Sequence, residues 1–147
     1  MIEPNVLKAI LAENGGRLPL LTLDEFFSGN TEEDSIAPNQ WGYGRPTLSE
    51  LWDVLKKVES MPETAWVRVA LHDDTAIVKR GGDEACQLVG DAIVVCGAVL
   101  PAELEAFVNC EWLCSDGVIQ VEADTLGMYS RVPPIPEHLA CLEIVWD

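Results

Sequence analysis

The spacing of apolar residues along this chain changes period several times, and each change marks an element. From Pro4 to about Glu13, Val6, Leu7, Ile10 and Leu11 form an apolar stripe. Proline suits a first helical turn and Gly15-Gly16 a stop, so the segment is predicted as a helix. Leu18 to Leu21 read as a short extended piece, after which Thr22 and Glu25 have the spacing of a capping box. The short helix they open carries Phe26 and Phe27 and stops near Gly29-Asn30, where a left-handed residue is expected. A second box, Thr47 with Glu50, opens the clearest helix, in which Leu48, Leu51, Trp52, Leu55 and Val58 recur at three- and four-residue spacing as far as about Glu59.

Beyond residue 60 the period shortens to two. Ala65, Val67, Val69 and Leu71 alternate with Trp66, Arg68 and Ala70, and Asp73-Asp74 can turn this strand back into Thr75–Lys79. That hairpin would end at Gly81-Gly82-Asp83. Asp91–Cys96 is almost continuously apolar, as a central strand would be. Pro101–Val108 reads as a short helix with acids near its positive end, residues 117–122 as a further strand, and Leu139–Trp146 as a last one. Pro133-Pro134 and Pro136 enforce an extended connector. Nothing divides the chain, so residues 1–147 are expected to form one α+β domain. Its economical form is an antiparallel or mixed sheet of about four to five strands, with two to four helices packed on it.

Charge changes the picture more than composition does. The chain holds 25 acidic and 9 basic residues, a formal net charge of −16. Residues 1–80 contain 13 of the acids and 8 of the bases, whereas residues 81–147 contain 12 acids and one base, Arg131. Repulsion from phosphates argues against nucleic acid as a partner and against anionic membranes. A cationic partner protein would be attracted and steered in, although surplus acid can also serve solubility alone. The opening Met-Ile-Glu-Pro-Asn-Val is not a secretory leader. Five cysteines cannot all pair in one chain, which favours reduced thiols and a cytoplasmic setting. No apolar run reaches the roughly 18 residues a membrane span needs.

Candidate chemistry is sparse. Cys110 and Cys114 have a metal-like spacing, but no second close pair accompanies them, and His72 and His138 stand alone. Gly42-Tyr43-Gly44-Arg45 lacks the ending of a phosphate loop. No nucleophile sits in a recognisable catalytic setting. The reading is therefore of a non-enzyme with no metal and no cofactor. Residues 30–46 form the longest irregular stretch, and loops of that length in a compact domain are functional or mobile. Within it Trp41, Tyr43 and Arg45 are the residue types that dominate protein interfaces. Two readings stand for them: they anchor a partner, or the aromatics fold back over the core. Glu32, Glu33 and Asp34 on the same loop, with Asp73 and Asp74, are the acids expected to meet a cationic partner; Asp83-Glu84 and Glu103, Glu105 and Glu111 add to the negative surface.

Leu20–Asn30, reading Leu-Leu-Thr-Leu-Asp-Glu-Phe-Phe-Ser-Gly-Asn, is followed by Ser35-Ile36-Ala37-Pro38-Asn39 and, at the far end, by Val145-Trp146-Asp147. In these segments the chain resembles a group of bacterial proteins with the same opening, an amphipathic helix, a Val-rich strand and a Trp-Asp tail. The group is similar in character to immunity proteins of contact-dependent and polymorphic toxin systems. The resemblance implies an acidic inhibitor of a basic toxin or nuclease and brings no catalytic residues with it. A cytoplasmic regulatory or scaffold domain is the alternative, and an enzyme a third.

Overall fold

A computed structural model describes all residues, 1–147. In chain order the elements are helices α1 (Pro4–Glu13), α2 (Leu23–Phe27) and α3 (Leu48–Glu59), strands β1 (Thr64–Leu71), β2 (Ala76–Arg80), β3 (Asp83–Gln87) and β4 (Gly90–Gly97), helices α4 (Pro101–Val108) and α5 (Cys110–Leu113), and strands β5 (Gly117–Val121) and β6 (Ala140–Val145). Single 3-10 turns lie at Glu33–Ser35 and Ala123–Met128. The fold is α+β. Its main sheet has the order β1-β4-β6-β5, antiparallel throughout, and β2 and β3 form a separate two-stranded ribbon.

Both capping boxes form. Thr22 Oγ1 accepts the Glu25 N–H at 3.1 Å, and Thr47 Oγ1 accepts the Glu50 N–H at 3.2 Å, with each glutamate bonded back to the cap. The apolar stripe of α3 then lies against the sheet through Leu48, Leu51, Leu55 and Val58, and Trp52 on its flank stacks on Phe27 of α2 at 6.0 Å. Gly29 adopts φ +72 where α2 ends, as its position predicted.

The sheet is buried on both faces. Toward the helices point Val67, Val69, Leu71, Ile93, Val95, Leu142 and Ile144. Toward the other side point Trp66, Ala70, Ala92, Val94, Cys96 and Cys141, covered by Leu20 and by Leu126 and Tyr129 of the irregular strap that joins β5 to β6. The strap's proline run lets Pro134 offer its carbonyl to the Trp66 indole at 3.1 Å. Burial on both faces explains why β4 reads as an unbroken apolar run rather than an alternating one.

One expectation is corrected. Asp73-Asp74 do not turn β1 into a pairing with the next segment. β1 pairs with β4, and the hairpin forms between β2 and β3 around Gly81-Gly82, both at positive φ. Buried Val67 and Val69 need buried apolar cross-strand neighbours, which Val95 and Ile93 of β4 supply and the half-exposed β2 does not. The ribbon is thus an insertion within the β1–β4 hairpin.

Candidate functional site

The 30–46 loop is organised from inside by Arg45, which is only 4% exposed. Its Nε donates to the Pro46 carbonyl at 2.9 Å and its Nη1 to the carbonyls of Glu33 and Ile36, while Nη2 lies 3.6 Å from Glu33 Oε1. Burial pulls the guanidinium below its usual range, and the Glu33 and Asp34 carboxylates oppose that shift. The Trp41 ring lies 4.6 Å from the guanidinium carbon. Glu33 is equally committed: its two carboxylate oxygens accept the Leu48 N–H at 3.1 and 3.3 Å, closing the N-terminus of α3. Arg45 and Glu33 are therefore the frame of the loop, with the Arg45 side chain buried and Glu33 partly exposed.

What the frame displays is aromatic. Tyr43 is 86% exposed and Trp41 36%, so the reading in which both fold back over the core fails for Tyr43 and half holds for Trp41. The loop is fixed at three points. Ile36 bridges to Gly90, where a methyl group would meet the Ile36 side chain at 3.1 Å, so the two pack closely. Asn39 and Gln40 side chains donate to the Asp147 carbonyl at 3.3 and 3.0 Å. Gly44 abuts the Cys114 Sγ at the end of α5.

The acids named from sequence fall in different places. Glu32 is paired with Arg80 at 2.7 Å, and with Asp34 it lines a shallow pocket of about 270 Å³ on one side of the Ile36–Gly90 bridge. On the other side a cleft of about 280 Å³ gathers Asp74, Asp91 and Asp147 with His72, Asn39 and Trp146. His72 Nδ1 accepts the Asp74 N–H at 3.0 Å, which holds the turn. Asp73 faces a third cleft beside Arg17, Met128 and Tyr129. Asp74 thus lies in a cleft that shares Ala37, Pro38 and Asn39 with the loop, Asp73 faces the third cleft, and Glu32 and Asp34 line the first pocket.

Two groups, the partly buried Glu143 and the buried Tyr129, have raised pKa values. Burial, and then the Asp91 carboxylate, raise the pKa of Glu143 above the ordinary carboxylate range. Tyr129 is pushed up to about 12 by burial together with Asp91, Glu143 and Asp73. Only five of the 25 acids form an ion pair with a lysine or arginine: Glu25, Glu32, Glu33, Asp53 and Glu84. Residues 81–130 contain nine acids and no base at all.

Sequence reasoning did not name Asp91, Trp146 or Asp147 as site residues. Asp91 carries the one usable signal, a charge opening an otherwise apolar strand; the other two reach the cleft only because β6 lies beside β4. All five cysteines are free, and three of them, Cys86, Cys96 and Cys141, are buried. Burial raises Cys96 to about 12 and also raises Cys141, its partner directly across β4 and β6. No helix is long and apolar enough to cross a membrane. No curated protein and no solved structure matches the chain. A family model does match, over residues 2–144, nearly the whole length, and the chain belongs to the family described as the Uncharacterized protein YfbO family.

Proposed function

We propose that this protein is a non-catalytic binding domain that holds a cationic partner protein in the cytoplasm, acting as an immunity-type inhibitor that covers the basic surface of a toxin or nuclease. One observation carries the reading: most of its carboxylates form no ion pair with a lysine or arginine of the molecule. Unneutralised charge of this density repels itself in the free protein and is relieved when a positive surface arrives. Such a surface would be drawn in at long range and released as salt rises.

The test is affinity capture from the native cell lysate on immobilised protein at low salt, with elution by a salt gradient. The expected result is a retained protein of basic pI that rebinds when purified, with affinity falling as salt rises, and whose own activity is suppressed in the complex. A retained partner of acidic or neutral surface, held with salt-independent affinity, contradicts the proposal and favours a regulatory or scaffold role. An empty column at low salt contradicts both.

A further inference from the structure

We infer that the partner docks at one place: the exposed Trp41–Tyr43 loop and the acidic cleft beside it, with a Lys- or Arg-rich segment of a protein as the occupant. The inference rests on the proposed function and adds to it a location and a recognition chemistry.

Tyr43 projects from a loop whose backbone is held by the buried Arg45 and by the bonds of Asn39 and Gln40 to Asp147. A rigid aromatic on an exposed loop loses little conformational freedom when it is covered, which is why Tyr and Trp serve as anchors. Immediately beside the loop, Asn39 forms part of the wall of the 280 Å³ cleft that also holds Asp74, Asp91 and Asp147. No lysine or arginine lines this cleft, and none of its three aspartates pairs with one. Trp146 contributes an indole wall whose Nε1 is already committed to the Leu113 carbonyl at 3.0 Å, leaving the ring in place. A cation between carboxylates and an indole face gains from both. The cleft has room for a side chain, and the loop that carries Trp41 and Tyr43 adjoins it through Asn39 and Gln40, a layout suited to an extended basic segment. An acidic or purely apolar partner has nothing here to neutralise the three carboxylates.

The experiment uses amide chemical-shift mapping of the full chain with a ten-residue Lys/Arg-rich peptide as probe, followed by dissociation constants for variants. Perturbations are expected to concentrate at residues 39–44, 72–74, 90–91 and 146–147. Tyr43→Ala and the pair Asp74→Asn/Asp91→Asn should each weaken binding roughly ten-fold. The control pair Glu103→Gln/Glu111→Gln removes the same charge from α4 and α5 and should weaken it less than three-fold. Equal weakening by both charge pairs, or shifts spread over all the acids, overturns the docking surface while leaving charge-driven binding intact. No salt-sensitive binding of the peptide at all overturns the underlying function as well. A Tyr43→Ala chain with unchanged thermal stability and unchanged affinity would also sink the inference, because that residue has no structural task to obscure the result.

Discussion

At the scale of single residues, the distinction that matters is between side chains the fold consumes and those it leaves free. Arg45 is consumed: three carbonyls and a carboxylate surround its guanidinium. Arg45→Met should cost about 3 kcal/mol in urea unfolding, because the carbonyls of Glu33 and Ile36 lose their donor inside the protein. Arg45→Lys should recover little of it, since one ammonium cannot reach all the acceptors the planar fork serves. Glu143 gives a prediction of opposite sign. Its folded-state pKa is raised by burial and by Asp91, so the folded protein favours the protonated form. The stabilising effect of that proton is complete below the ordinary carboxylate range and is lost as pH rises through the raised value. Glu143→Gln should therefore raise the melting temperature at pH 7, and the gain over the parent should vanish near pH 3. A gain that grew on acidification would contradict the assignment.

At the scale of elements, the sequence was most legible where local chemistry decides. Both Thr-Glu boxes, the apolar stripe of α3, the Gly29 stop and the unbroken run of β4 were readable because each depends on residues within a turn or two, or on the face a strand presents. Thr47→Ala should cost about 1 kcal/mol, somewhat less if the Glu33 carboxylate continues to hold Leu48 N–H; the midpoint of urea unfolding reads this directly. The β1 hairpin was misread for a physical reason. Asp73-Asp74 and Gly81-Gly82 are both good turn sequences, and nothing local states that the two-residue turn belongs to a ribbon while the strands flanking the ribbon pair with each other. Gly97 marks that long-range pairing. A methyl group there would lie 2.3 Å from the Glu63 carbonyl at the irregular end of the β1–β4 ladder, so Gly97→Ala should destabilise by about 2–3 kcal/mol through forced backbone movement.

At the scale of the whole molecule, charge is asymmetric in sequence and selective in space. Counting acids along the chain identified Asp73 and Asp74 as a unit, yet adjacent residues in a turn face different clefts, one beside Arg17 and the other among aspartates with no lysine or arginine partner. The candidate surface needed β6 beside β4 and the 30–46 loop tied to Asp147; the loop contacts lie 108 and 107 positions apart in the chain. Its aromatic half could be named from residue type, its acidic half only in part. The family assignment covers almost the whole chain, residues 2–144.

Docking beside the Trp41–Tyr43 loop requires negative potential to be gathered there. Paramagnetic relaxation of each amide by a cationic and by an anionic nitroxide, compared at low salt, reports that potential residue by residue. The strongest preference for the cationic probe is predicted at residues 39–44, 72–74, 90–91 and 146–147, with a weaker one along α4 and α5. A preference that is uniform over the surface, or greatest at Glu103 and Glu111, would contradict it.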